Sequence, residues 1–477
     1  MSYKNVVIMG GGPIGLMAAL EAKQYFKNVL IVEKRTDYTR SNVPVLQDDL
    51  KKYLSDDLKV GKRLGWNEKN KPTVPFSKLE ESLWDQARSK GVKRLSGYVI
   101  ETLTGVDKKP NGVFKKMTIT MKPWDPVAKQ IGEGNARVVQ ADLIVVATGG
   151  GAINDPIVQQ LGFRWEKLKA TNYAAYGIFE HVDDYSSGGS GPVFDEKLRQ
   201  DIHPTIRDIV PGKTGSGKTG LKTKDHNYLL VTLVGVTKKD FKQLQQDEKR
   251  LKLLMTSVGR TINGTVLHQL KPDVDRNVSL FKVKVQKAQQ FYSPEYPAVL
   301  VGDAAVTPHP ETGSGMVTGF KGVQELSKLF EALSRTSRSE DNLSLYLSFD
   351  KAFELHVASK ALSGTITTLA NLFGTVGMFR DDVKKLISNP RFKPIVEEME
   401  GVANRLRDQL DQEIKEAKQL QDLVEGKAVV NLDPRSNVSR LWQRIGVTYN
   451  EIQEFTGDLG FLDERLDELE NKIKFAV

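Results

Sequence analysis

Three glycines near the N-terminus are spaced to hold phosphate. Gly10, Gly12 and Gly15 form G-x-G-x-x-G, and Glu33 follows eighteen residues after the last of them. In such a pattern the first glycine permits a sharp exit from a strand. The second lets the backbone approach a pyrophosphate, and the third lets a helix pack close on the strand. Pro13 and Ile14 open that helix, whose first amides face the phosphate charge. Glu33 can accept hydrogen bonds from ribose hydroxyls, so the chemistry implied is dinucleotide binding. A rival signal lies in "PGKTGSGKTG", Pro211 to Gly220, which satisfies G-x-x-x-x-G-K-[ST] through Gly212, Gly217, Lys218 and Thr219. A working phosphate loop must leave a buried strand and open a helix. Upstream "DIHPTIRDIVP" lacks continuous apolar character, and downstream "LKTKDHN" lacks helical periodicity. The segment therefore reads as a flexible basic hairpin loop, and a nucleoside triphosphatase is disfavoured.

A second cofactor signal spans Val299 to Val323, "VLVGDAAVTPHPETGSGMVTGFKGV". A buried strand ends at Gly302 and delivers Asp303, Pro308 marks a turn, and Gly313, Gly315 and Met316 open a helix. The acid can bind a ribityl hydroxyl, and helix amides can face the N1–C2=O edge of a reduced flavin. An ordinary strand–loop–helix would carry similar letters. Paired with the N-terminal fingerprint about 290 residues earlier, the segment points to FAD rather than NAD as the bound cofactor. His309 sits on the same turn and titrates near neutrality, which makes it the candidate catalytic acid or base; a solvent-exposed turn histidine is the competing reading. The chain has no cysteine and only six histidines, none in an H-E-x-x-H spacing. No metal is expected, and any redox chemistry must come from the cofactor.

The elements that must position these residues follow from hydrophobic periodicity. "NVVIM" reads as a buried strand, "LMAALEAKQYF" as a helix, and "NVLIVEKR" as a second strand. "YVIETLTGV" and "MTITMKPW" form a hairpin about the turn "KKPNG". "ADLIVVATGGG" is a further buried strand running into Thr148 and Gly149. From about 165 to 290 the pattern changes to strands and polar loops, with "NYAAYGIFEHV", "HNYLLVTLVGV" and "NVSLFKVKVQKAQQFY" as strand candidates. Beyond 340 it is helical, through "VEEMEGVANRLRDQLDQEIKEAKQLQDLV" to "LDERLDELENKIKF". The expectation is an α/β fold. A Rossmann-like FAD-binding domain with a parallel sheet and βαβ start spans 1–160 and 290–340. A mixed β-sheet substrate domain is inserted at 161–289, and a helical C-terminal region occupies 341–477.

The stretch "VEKRTDYTRSNVPVL" carries a family likeness, since Glu33, Lys34, Arg35, Tyr38, Arg40 and Asn42 match E-K-R-x-x-[FY]-[ST]-R-x-N. Together with "GDAAVTPHPETGSGMVTGF", it makes the chain resemble class A FAD monooxygenases of the p-hydroxybenzoate hydroxylase fold, most closely the monooxygenase domain of the MICAL proteins. "DHNYLLVTLVGVTKKDF" is similar to the family's middle-domain strand. The likeness is continuous over about 40 residues at each end of the FAD domain and weak between them. It implies that Glu33 meets the adenosine ribose, and that Arg40 and Asn42 line the pyrophosphate and isoalloxazine. It also implies that Asp303, Pro308, Gly313 and Gly315 lie beside the flavin. The chain departs from the pattern at Thr148, where "ATGG" replaces "ADG", at "PHPE", where MICALs carry a Phe–Trp pair, and at Ser77 with Lys78, where an arginine is usual. These departures bear on NADPH handling and on actin-directed methionine oxidation, and leave FAD binding in place.

The resemblance implies an FAD-dependent monooxygenase using NAD(P)H and O2 through a flavin C4a-hydroperoxide. Its substrate would be a small molecule or a protein side chain. The alternative is an FAD-binding scaffold with little turnover, which the altered "ATGG" motif and the helical C-terminus would suit. Across 477 residues, 39% are hydrophobic and 27% charged, which describes a globular protein with several substructures. The net charge of +9 is spread along the chain without aromatic interleaving, so nucleic acid is not expected, while an acidic protein partner would fit. No apolar run is long enough for a transmembrane segment and no signal-peptide layout opens the chain, so a cytoplasmic protein is expected.

Overall fold

The computed structural model describes residues 3–38, 46, 48–61, 64, 74–108, 114–167, 173–181, 215–222, 227–236, 238–263, 278–282, 286–307, 315–336, 342–357 and 393–424. They divide into two compact units, one of residues 1–168 and 284–361 and one of residues 169–283 and 362–477.

The first unit is built on a five-stranded sheet in the order β15-β8-β1-β2-β3. These strands are β1 (Asn5–Met9), β2 (Asn28–Glu33), β3 (Lys93–Ser96), β8 (Leu143–Val146) and β15 (Ala298–Leu300), all parallel. Val6–Met9, Leu143–Val146 and Ala298–Leu300 are buried, as the interior of a parallel sheet covered on both faces requires. Helix α1 (Pro13–Tyr25) joins β1 to β2 and is apolar nearly all round, with Leu16, Met17, Ala18, Ala19, Leu20 and Ala22 buried. Its alanines let it lie close beneath neighbouring helices, and all-round apolarity is the mark of a core helix. It packs against α3 (Phe76–Ser89) and α7 (Gly315–Arg335), with Phe26 edge-on to Phe330 at 5.3 Å. Two short helices, α2 (Asp48–Lys52) and α4 (Pro156–Gln160), complete the loops.

An antiparallel hairpin, β4 (Tyr98–Lys108) with β5 (Phe114–Asp125), leaves β3 through Gly97 and is extended by β6 (Gln130–Ile131) and β7 (Arg137–Ala141). A small sheet of β16 (Val306–Thr307), β14 (Gln286–Ala288) and β9 (Trp165–Lys167) lies beside the C-terminal end of β15. Helix α8 (343–357) is tied to this unit by polar contacts. Lys287 pairs with Glu354 at 2.5 Å, Phe291 N donates to Asp350 Oδ1 at 2.7 Å, and His356 Nε2 meets Glu325 Oε1 at 2.9 Å.

The second unit holds an antiparallel sheet in the order β11-β12-β10-β13, made of β10 (Tyr173–His181), β11 (Gly215–Lys222), β12 (Asn227–Val236) and β13 (Val278–Lys282). Helices α5 (Lys238–Gln246) and α6 (Glu248–Asn263) cover it, burying Leu244, Leu251, Leu254 and Met255. Helix α9 (Lys393–Val424) admits Pro394 in its first turn and buries Ala403, Leu406, Leu410, Glu413 and Ala417 along one stripe.

Two local readings change. The segment read as strands and polar loops also contains α5 and α6; α5 has only Phe241 and Leu244 as apolar residues, and most of those of α6 crowd into the short run LKLLM. "NVSLFKVKVQKAQQFY" is not one strand: β13 belongs to the second unit and β14 to the first. The closing segment "LDERLDELENKIKF" lies outside the described residues.

Candidate functional site

Because the strands of the main sheet are parallel, their C-terminal ends share one rim, and the ladder continues into the loops that follow. Gly10 N donates to Val32 O at 2.9 Å, Ala147 N to Met9 O at 2.8 Å, and Val301 N to Val146 O at 3.0 Å. Four turns, after β1, β2, β8 and β15, are thereby aligned. The order in which strands are added to the sheet reverses at β1, since β2 lies on one side of it and β8 on the other. Open α/β sheets bind ligands at such a point.

The turn after β1 is tight. Gly10 has φ +102°, and a Cβ there would lie 2.5 Å from Ala147 O. A Cβ at Gly15 would lie 2.0 Å from Gly10 O, so α1 starts directly on the turn. Gly12 is the N-cap, Pro13 follows, and no side chain caps the helix or adds an acid to its first turn. Its first amides are left to an outside acceptor, which is the arrangement that receives phosphate.

Glu33, at the end of β2, is buried and surrounded by donors. Its Oε2 accepts Gly11 N at 2.6 Å, and its Oε1 accepts Arg35 N at 2.9 Å and Arg35 Nε at 3.0 Å. Burial by itself raises the carboxyl pKa, but the hydrogen bonds and charge of Arg35, with the Arg35 and Gly11 amides, outweigh it and hold Glu33 below the usual range. Arg35 in turn is pushed down by burial and pulled up more strongly by Glu33 and then Glu80. Lys34 points away, with Nζ 5.3 Å above the Trp124 ring. Tyr38 is covered by Arg94, whose guanidinium lies 4.4 Å from its ring and 5.4 Å from that of Trp84. Arg94 also donates to Thr36 O at 3.4 Å, which pins the strap after β2.

The turns after β8 and β15 form the facing wall. Thr148 is exposed, Gly149 has φ +79°, and a Cβ added at Gly149 or Gly151 would meet nothing within 4 Å. This leaves bare backbone beside open space. Gly302 has φ +63° and begins a 3-10 turn that presents Asp303 as an exposed side chain. The two turns are stitched by contacts that the sequence did not announce. Gln286 Nε2 donates to Gly150 O at 3.0 Å, Trp165 Nε1 to Ala304 O at 3.0 Å, and Thr307 Oγ1 to Asp303 O at 2.9 Å. No local signal marks these roles, since Trp165 and Gln286 lie in three-residue strands, WEK and QKA, too short and too polar to show a period.

Ile14 joins the two halves. A Cβ on Gly302 would sit 3.0 Å from Ile14 Cγ2, and one on Gly319 would sit 2.7 Å from Ile14 Cδ1. Gly315 and Met316, half-buried, begin α7 close to this contact. Gly10, Gly12, Pro13, Ile14, Gly15, Glu33, Arg35, Thr148, Gly149, Gly302, Asp303, Gly315 and Met316 therefore converge on one rim, whereas Lys34 leaves it. Arg40, Asn42, Pro308, His309 and Gly313 lie outside the described residues. The donor set fits a dinucleotide: amides for phosphate, an ionised acid for ribose, and uncluttered glycine backbone between them.

The rival phosphate-loop motif has a different shape from that read in the sequence. Its second half is not a loop but strand β11, paired antiparallel with β12 through Gly217↔Thr232, Lys218↔Val231 and Thr219↔Leu230. No helix begins at Lys218, so the amide cradle of a phosphate loop is not formed. Among the described residues no group of three His, Asp or Glu side chains could hold a metal, and no helix is long and apolar enough to cross a membrane.

Residues 242–393 match the family model for squalene epoxidase. Comparison with curated protein sequences finds no match. Among solved structures, the flavin-dependent halogenase CmlS superposes with a TM-score of 0.57 at 15% identity, over 79% of this chain and 66% of that one. OxyS anhydrotetracycline hydroxylase from Streptomyces rimosus gives 0.52 at 17% identity, over 90% and 77%. The p-nitrophenol 4-monooxygenase PnpA from Pseudomonas putida DLL-E4 gives 0.51 at 14% identity, over 88% and 99%. At such identities the likeness concerns architecture, and on that ground the chain has the fold of the FAD-binding monooxygenases and halogenases.

Proposed function

We propose that this protein is an FAD-dependent monooxygenase that takes electrons from NAD(P)H and one oxygen atom from O2. The observation that carries the reading is the convergence at Ile14, where the N-terminal glycine turn and the Gly302–Asp303 turn meet across about 290 residues of chain. A dinucleotide of the length of FAD needs both turns, one for its adenosine and pyrophosphate and one for its flavin end. The match of residues 242–393 to squalene epoxidase supports an oxygenating activity, as does the fold shared with hydroxylases. The E-K-R-x-x-[FY]-[ST]-R-x-N stretch supports the finer likeness to MICAL monooxygenase domains.

In this reading the α1 amides neutralise the pyrophosphate, and Glu33, kept ionised by Arg35, accepts the ribose hydroxyls. Asp303 accepts from the ribityl chain, while Thr148 and Gly149 let the cofactor lie against bare backbone. Bound flavin supplies the oxygen-activating chemistry, which no side chain of this protein could perform alone. Trp165, Gln286 and Thr307 hold the two flavin-side turns in register, so the reacting face is presented on rigid backbone. His309 is the proposed proton-handling group, and residues 161–289 are the proposed substrate domain.

Purification with added FAD tests the proposal. The holoprotein is expected to be yellow and to release FAD on heating. It should also consume NADPH or NADH with oxygen uptake when offered squalene, a phenol or a methionine peptide. A colourless protein that does not take up FAD would overturn the flavin reading. A yellow protein with no turnover on any reductant would favour the scaffold alternative. Lys218→Ala is expected to leave flavin content and turnover unchanged.

A further inference from the structure

Glu80 lies on the inward face of α3, between Leu79 and Leu83, and is completely buried. A buried carboxylate is costly unless a cation faces it. The cation here is Arg35, with Nη2 3.6 Å from Glu80 Oε1. The same guanidinium grips Glu33, through Nε to Oε1 at 3.0 Å and Nη2 to Oε2 at 3.4 Å. One cation thus bridges two carboxylates that come from different elements, the end of β2 and the middle of α3.

The acceptor sites of Glu33 are all in use. A carboxylate has about four. Oε1 takes Arg35 N and Arg35 Nε, and Oε2 takes Gly11 N and Arg35 Nη2. A ribose diol brings two donors, so two of these contacts must yield before it can bind. The Gly11 and Arg35 amides are fixed by the turn and by the strap that Arg94 pins at Thr36 O. Only the Arg35 side chain can leave, and among the described residues the other carboxylate paired with it is Glu80.

We propose that Glu80 is a positioning residue for the adenosine ribose: it takes over the Arg35 guanidinium when the ribose hydroxyls occupy Glu33. In the free protein Arg35 keeps Glu33 ionised and oriented, and in the complex Glu80 keeps Arg35 from competing with the ligand. The proposal rests on the flavin reading above, and its test separates the two.

Apoprotein is titrated with FAD, ADP and FMN, the last lacking the adenosine. Glu80→Gln is expected to weaken FAD and ADP by about tenfold, the order of one charge-assisted hydrogen bond, and to leave FMN unchanged. In an Arg35→Met background Glu80→Gln is expected to have no further effect, because Glu80 acts only through the guanidinium. A merely structural carboxylate would instead lower affinity for all three ligands in both backgrounds, and that result overturns the proposal. Unchanged FAD and ADP affinity in Glu80→Gln overturns it as well. If Glu80→Gln does not fold, Glu80→Asp draws the carboxylate back by one methylene, and an adenosine-specific loss is expected there; its absence counts against the proposal. A wild-type protein that binds neither FAD nor ADP refutes the flavin reading itself.

Discussion

Replacing Gly319 by alanine tests how tightly α1, α7 and the Gly302 turn are locked together at Ile14. A Cβ at Gly319 meets Ile14 Cδ1 at 2.7 Å, Ile14 Cγ1 at 2.8 Å and Gly302 Cα at 3.3 Å. Ile14 cannot retreat, since its other branch already faces Gly302, and a β-branched side chain in a helix has one strongly preferred rotamer. Two effects oppose. Alanine in place of glycine favours a helix by about 1 kcal/mol. Overpacking a filled core costs about 1–3 kcal/mol. With two atoms of a stiff side chain inside normal contact, the upper part of that range applies, and the net is a loss of about 1–2 kcal/mol. Removing the obstacle should reverse the sign. In an Ile14→Ala background, Gly319→Ala keeps the helix gain and is expected to stabilise by up to about 1 kcal/mol. Urea unfolding of the four proteins, followed by circular dichroism, reads the coupling directly. Gly319→Ala that stabilises the wild-type protein, or that destabilises both backgrounds equally, would refute the reasoning.

Gly15→Ala should give a protein that fails to retain FAD, because its Cβ would fall 2.0 Å from the backbone oxygen of Gly10, which cannot move without opening the turn; flavin content per protein measures this. The pH dependence of FAD binding follows Glu33. Its folded pKa is depressed, so its contribution is complete above the ordinary value of 4.5 and is lost as the pH falls below that through the folded value. FAD release measured by ultrafiltration should therefore begin only below pH 4.5, and a loss setting in well above it would contradict the Arg35-stabilised carboxylate. Breaking the buried Lys287–Glu354 pair with Glu354→Ala should cost about 3–5 kcal/mol, whereas Lys287→Met with Glu354→Leu should recover most of the thermal midpoint.

The glycine fingerprint was legible because each letter answers a local steric demand. Gly10 must adopt a positive φ, and Gly15 must admit a backbone oxygen. The buried strands were legible because a parallel sheet covered on both faces leaves unbroken apolar runs such as "LIVV". Helices α5 and α6 were missed because their apolar residues are few or mostly crowded into one short run, and β13 and β14 were merged because nothing in their letters marks a change of unit. The strand character of "GSGKTGLK" was hidden by glycines that usually signal loops, and it arises from pairing with the apolar strand β12.

By itself, the order of residues determined that a strand, a glycine turn, a helix and an acid-ended strand open this chain, and that a second strand with Asp303 follows far downstream. Those are consequences of backbone sterics and hydrophobic period, which act over a few residues. Tertiary structure alone decided that the two segments meet at Ile14, that Trp165 and Gln286 stitch the turns after β8 and β15, and that Arg35 is shared between Glu33 and a buried Glu80. Such contacts join residues separated by tens to hundreds of positions, and they are selected by packing and charge pairing in the folded core, where no local pattern records them.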